Sequence, residues 1–187
     1  MTEQQKQKNY QLYIKKLESI GVDTKLLDST YGDKLLNGTY CISTEQGPAY
    51  SGSLIEVVLR KLTPTAVHIN DILPEKLKVD QSTLVKVCLL HSIGKAINMI
   101  PNDNQWEIEK RGMVYKFNPD TPSIRTGLLS LVLAQNVGIS FTPEEAEAMT
   151  ILDRDSTDTQ ARFFSSVLAT IVRQANEITY LESKINK

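Results

Sequence analysis

Leu84-Val85-Lys86-Val87-Cys88-Leu89-Leu90-His91-Ser92-Ile93-Gly94-Lys95 decides the fold class of this chain. Its first seven residues are apolar on nearly every side of a helix, so a helix here has no face to offer to water and belongs at the centre of a bundle. Asp80 is a fitting N-cap, which predicts a helix starting there and running through Ile97.

Outward from that centre the pattern is mainly helical. Tyr10, Tyr13, Ile14, Leu17 and Ile20 recur three and four residues apart and stop at Gly21, which marks an amphipathic first helix added to the core. Gly32, Asn37, Gly38, Gly47 and Pro48 predict a mostly irregular stretch from Ser29 to Gly52. A helical pattern resumes over Ser53 to Leu62, and Pro64 either interrupts that helix or starts the next. Trp106 and Ile108 alternate with Glu107 and Glu109, Lys110-Arg111-Gly112 turns the chain, and Met113, Tyr115 and Phe117 follow at period two. That pattern predicts one small β-hairpin. A helix over Leu128 to Val137 ends at Gly138, and Thr142-Pro143-Glu144-Glu145 carries the N-cap, first-turn proline and third-position acid of a further helix. Ala161, Phe164, Val167, Leu168, Ile171, Val172, Ala175, Ile178 and Leu181 step through a long closing helix. The expected fold is mostly α: residues 1–38 form an N-terminal helix and irregular linker packed on a helical domain over residues 39–187.

At 187 residues the chain is long enough for one well-buried core. Its 21 Lys and Arg against 22 Asp and Glu are spread along the sequence, and the net charge of −1 leaves no basic footprint for nucleic acid. The apolar runs are short and the N-terminus is polar, so a membrane span and a secretory signal are not expected and the location is read as cytoplasmic. Cys41 and Cys88 have no paired spacing and read as reduced structural thiols. Asp153-Arg154-Asp155-Ser156-Thr157-Asp158 is rich in oxygen ligands, yet it lacks the glycine and terminal glutamate of a calcium loop and reads as a helix-ending loop.

Leu89 to Lys95 also resembles the Leu-Leu-His-Asp-Ile-Gly-Lys phrase of the HD-domain superfamily of metal-dependent phosphohydrolases, with Ser92 in place of the Asp. Four further phrases are similar to small HD-domain proteins encoded by bacteriophages and bacteria, in the family's order, from about Thr39 onward. Ala49-Tyr50-Ser51-Gly52-Ser53-Leu54-Ile55-Glu56-Val57 resembles a phrase whose last residue is a ligand His, here Val57. Lys116 to Gly127 resembles one whose His falls on Arg125, and Phe141 to Leu152 one whose His falls on Leu152. Arg173-Gln174-Ala175-Asn176 resembles His-x-Ala-Asp, with Asn176 in place of the ligand Asp. The resemblance implies an HD-like helical bundle that has kept its scaffold residues and lost its metal ligands.

A divalent metal needs neutral imidazoles and ionised carboxylates in a fixed geometry. Val57 and Leu152 have no lone pair to give, Ser92 and Asn176 are weak neutral donors, and Arg125 would put a cation beside a dication. His91 alone cannot hold the ion, so no metal, no cofactor and no phosphohydrolase activity are expected, and His91 reads as a core histidine satisfied by Ser92 or Asn176. The implied function is a catalytically inactive structural or protein-binding module, with a self-association or phage virion, assembly or host-interaction role following from the resemblance. An alternative is a nucleotide or phosphate sensor in which His91, Lys95, Arg125 and Arg173 gather round an anion. Each Arg could instead pair with an acid, the candidates being Asp153, Asp155, Glu177 and Glu56. A third reading, an active phosphohydrolase with rearranged ligands, requires Asp153, Asp155 and Glu56 to converge on His91.

Overall fold

A computed structural model describes residues 1–154 and 165–185. The molecule is mostly helical with one small antiparallel β-pair. In order it runs α1 (Glu3–Ser19), α2 (Lys25–Asn37), α3 (Ser53–Val57), a π-helical turn (Val58–Leu62), α4 (Thr63–Ile72), a 3-10 turn (Glu75–Leu77) and α5 (Gln81–Leu90). There follow α6 (Lys95–Asn98), β1 (Met99–Pro101), α7 (Gln105–Arg111), β2 (Tyr115–Phe117), α8 (Thr126–Asn136), α9 (Pro143–Thr150), a 3-10 turn (Ile151–Asp153) and α10 (Val167–Ile185). Ala161 and Phe164 of the expected closing helix, and Asp155, Ser156, Thr157 and Asp158, lie outside the described residues. Among the described residues no helix is long and apolar enough to cross a membrane.

The centre is α5. Leu84, Val85, Val87, Cys88, Leu89 and Leu90 are each 2% exposed or less, and Asp80 caps the helix by accepting from the Thr83 amide at 2.8 Å. Each apolar side chain so buried contributes about 1.5–3 kcal/mol. The helix ends at Leu90, however, and does not continue to Ile97. Residues 91–94 form turns, and Gly94 presses so closely on α8 that a Cβ there would sit 2.7 Å from the Thr126 carbonyl oxygen. The Gly94 amide donates to Ser130 Oγ at 2.9 Å, which fixes that crossing and starts α6 in a new direction.

Helix α1 is integral to this core. Tyr13 and Leu17 are fully buried, and the Tyr13 hydroxyl donates to the Leu89 carbonyl in the last turn of α5. Arg60 Nη2 and Nε donate to the side-chain oxygen of buried Asn9, tying α1 to the π-helical turn. One hydrophobic cluster includes Tyr13, Leu17, Leu27 and Leu35 together with the residues of α5 and α10, so the core is continuous across residue 38.

Three sequence expectations are corrected here. The stretch expected to be irregular from Ser29 contains most of α2. Gly32 in its interior costs about 1 kcal/mol relative to Ala, and a Cβ there would meet Asp28 Oδ1 at 2.9 Å and so crowd the hydrogen bond that Tyr10 donates to Asp28. Residues Trp106 to Glu109 are helical, since Asn104 caps α7 and Gly112 ends it at φ +58°, where a four-residue alternation could not tell strand from helical turn. The strand paired with β2 is β1, in the register Met99 to Phe117, Ile100 to Lys116 and Pro101 to Tyr115. Pro64 starts α4: the ring of a proline clashes with the carbonyl four residues back, and the widened π-helical turn before it removes that demand.

The predicted cap of α9 is present in full. Thr142 Oγ1 accepts from the Glu145 amide at 3.2 Å while Glu145 Oε2 accepts from the Thr142 amide at 2.8 Å. The same carboxylate is 5% exposed and holds the Lys86 ammonium at 2.9 Å, so it joins α9 to α5. Replacing Glu145 with Ala therefore removes a cap and strands a partly buried cation, and is expected to lower the unfolding free energy by about 2–4 kcal/mol. Glu144→Ala, at the exposed neighbouring position, is expected to change it by less than about 0.5 kcal/mol. Urea denaturation of the two variants measures the difference.

Candidate functional site

The turn that leaves α5 fixes the chemistry of His91. The ring is 2% exposed, and its Nδ1 lies 3.0 Å from the Cys88 carbonyl oxygen. A carbonyl only accepts, so Nδ1 carries the hydrogen and Nε2 holds the lone pair. That lone pair receives the Ser92 hydroxyl at 2.8 Å. Burial pushes the imidazole down to about 4, with the Lys95 charge acting in the same direction and the Cys88 hydrogen bond opposing it. His91 is thus a neutral ring with both nitrogens occupied by close neighbours.

The other positions matched to metal ligands have separate surroundings. Val57 closes α3 at 1% exposure inside the core, and Leu152 packs half-buried against the core in the 3-10 turn after α9. Arg125 is exposed just before α8, where it donates through Nη1 to the main-chain oxygen of Asp153. The Asp153 carboxylate accepts from the Gly127 and Leu128 amides at 2.9 and 2.8 Å, because the free amides of a helix N-terminus suit a carboxylate well. Glu56 accepts from the Tyr50 hydroxyl. Asp153 and Glu56 are therefore each committed away from His91, and Asp155 lies outside the described residues. Among the described residues no three His, Cys, Asp or Glu side chains are grouped to hold a metal ion.

The four basic residues proposed to gather round an anion have these surroundings. Arg125 is bound at the start of α8, Arg173 is half-buried on α10, and the His91 nitrogens are taken up by Cys88 and Ser92. Lys95 turns the other way, towards the segment between α2 and α3. Its ammonium donates to the Tyr40 carbonyl at 2.9 Å and lies 3.6 Å from the centre of the Tyr40 ring. The residue as a whole is half-buried, but its charged end is desolvated and is pushed down to about 8.

Lys95 opens onto a cleft of about 410 Å³ walled by Tyr40, Ile42, Met99, Phe117, Asn176 and Tyr180. Local hydrogen bonds hold this wall. The Tyr40 amide donates to Ser53 Oγ at 3.0 Å, the Cys41 amide to the Pro48 carbonyl at 3.0 Å and the Tyr115 amide to the Ile42 carbonyl at 3.0 Å. The Tyr40 hydroxyl, its titration pushed upward by burial, donates to Asn176 Oδ1 at 2.7 Å. Of these residues the family phrases contain Lys95, Phe117 and Asn176. Tyr40 sits in the stretch that carries no periodic signal, and its place follows from contacts with residues 53, 95 and 176.

Because folding holds His91 neutral, the unfolded chain binds a proton there that the folded chain refuses as pH falls below about 6.5. This contribution to stability is complete above that value and declines until the pH reaches about 4, by about 3 kcal/mol in all. Stability measured across that window should fall more steeply in the wild type than in His91→Gln, and parallel curves would contradict the burial of a neutral ring.

No family model, no curated protein and no solved structure matches this chain, so the HD-domain expectation rests on the five sequence phrases alone.

Proposed function

We propose that this chain is a structural or protein-binding module, built on an HD-like helical bundle that performs no metal-dependent phosphoryl chemistry. The observation that carries the reading is the state of His91. An imidazole serves a metal through its lone pair, and here the lone pair accepts a hydroxyl hydrogen from Ser92. A metal would have to displace that bond, and the other positions matched to ligands offer it little, since Val57 and Leu152 are apolar and Arg125 is a cation.

The surface adds support for a binding role. Trp106 and Phe117 are 61% and 58% exposed, and Ile178, Leu181 and Ile185 follow one another along one exposed side of α10. Large apolar side chains gathered in this way are the usual material of protein contacts. A role in a phage particle, its assembly or its host belongs to this proposal through the sequence resemblance.

Elemental analysis of the purified protein is expected to find no stoichiometric Mn, Fe, Mg, Ni or Zn, and added Mn or Mg should produce no hydrolysis of nucleoside monophosphates. Metal bound at one equivalent, with hydrolysis abolished in His91→Ala, would sink the proposal.

A further inference from the structure

We propose that the cleft between Tyr40, Lys95 and Asn176 binds a small monocarboxylate carried on a flat apolar body, with the Lys95 ammonium as its counter-charge. The inference goes beyond the scaffold reading and does not rest on it.

Lys95 is an enclosed cation that meets the Tyr40 carbonyl and the Tyr40 ring, with the Cys41 thiol near enough to act on its charge; among the described residues no carboxylate lies within ion-pair distance. An ammonium taken out of water is costly unless a negative charge or enough acceptors replace its shell. One carbonyl uses one of its three N–H groups, which leaves two for a ligand. The depressed affinity of this amine for its proton is the consequence expected of a missing anion.

Asn176 supplies the second donor. Its Oδ1 is engaged by the Tyr40 hydroxyl, which fixes the amide with Nδ2 as the group left to donate in a residue that lines the cleft. An ammonium and an amide N–H suit the two oxygens of one carboxylate. The remaining lining is mainly apolar or aromatic, with Gln46 a further polar side chain: Ile42 and Met99 are half-buried, and Phe117 offers an exposed ring against which a flat body can lie, while the Tyr180 ring carries the Lys184 ammonium 4.5 Å from its centre. A volume of about 410 Å³ admits a molecule of the size of a substituted benzoate. The charge balance favours a monoanion. Lys95 is the one cation among the residues lining the cleft, and the Lys184 ammonium beside it is taken up by the Tyr180 ring at 4.5 Å, so a phosphate dianion would bring more negative charge than Lys95 supplies.

The test is titration of the full chain at pH 7 with benzoate, benzyl alcohol and phenyl phosphate, followed by calorimetry and by amide NMR shifts. Benzoate is expected to bind saturably with shifts centred on Tyr40, Lys95 and Asn176, and to bind about tenfold or more tightly than the uncharged alcohol or the phosphate. Lys95→Met should weaken benzoate by a similar factor while unfolding at the wild-type temperature or above, since it removes an enclosed charge. Asn176→Asp, which keeps an acceptor for the Tyr40 hydroxyl and builds a carboxylate into the cleft, should also abolish benzoate binding. Absence of saturable benzoate binding, equal binding of benzyl alcohol, tighter binding of phenyl phosphate, or benzoate affinity unchanged in Lys95→Met or Asn176→Asp would each overturn the proposal.

Discussion

The structure depends on one constraint: from Leu84 to Leu90 α5 is apolar on nearly every side, so it is stable only when other elements enclose it. Helices α1, α4, α8, α9 and α10 all pack against it. Where polar groups meet it they come in satisfied sets, as Glu145 does by capping its own helix and holding Lys86 of α5. The enclosure also dictates the exit. With α8 across the end of α5, the chain can leave only through a residue without a side chain, and Gly94 is that residue. His91 and Ser92 are caught inside the exit turn, while Lys95 emerges on its far side beside Tyr40.

That arrangement explains why neighbouring members of one heptad meet different environments. Residues 91 and 92 face each other in a dry interior, where a hydroxyl and an imidazole satisfy one another at 2.8 Å. Three residues later a cation leans on an aromatic ring and a carbonyl at the edge of a cleft. Burial acts on both titrating groups in the same sense, disfavouring charge, and yields a fixed neutral ring in one case and an easily deprotonated amine in the other.

Much of the architecture was legible in residue order. Continuous apolarity placed α5, and the Asp80 and Thr142 caps marked two helix starts because capping chemistry is local. Helix α2 was obscured by Gly32, which reads as a breaker until its contact with Asp28 and Tyr10 is seen. The strand partner of β2 was misplaced because pairing is a property of two distant segments, and alternation within one of them does not name the other. The cleft was the least legible feature. Tyr40 meets Asn176 across 136 positions, and nothing in the neighbourhood of either residue announces that contact. Only the family phrases drew attention to Lys95 and Asn176, and each of these bonds to Tyr40, while His91 bonds to Cys88 and Ser92 and Arg125 to Asp153.

The hydrogen bond from Tyr13 to the Leu89 carbonyl spans 76 residues, and it places α1 under the control of a helix made much later in synthesis. During translation α1 can pack first on α2 and α3, and its contact with α5 through Tyr13 completes only after residue 90 has followed. Topologies with such long-range closure fold more slowly than those built from local contacts, and their unfinished forms expose apolar surface. The packing of α1 is therefore completed only by the middle of the chain.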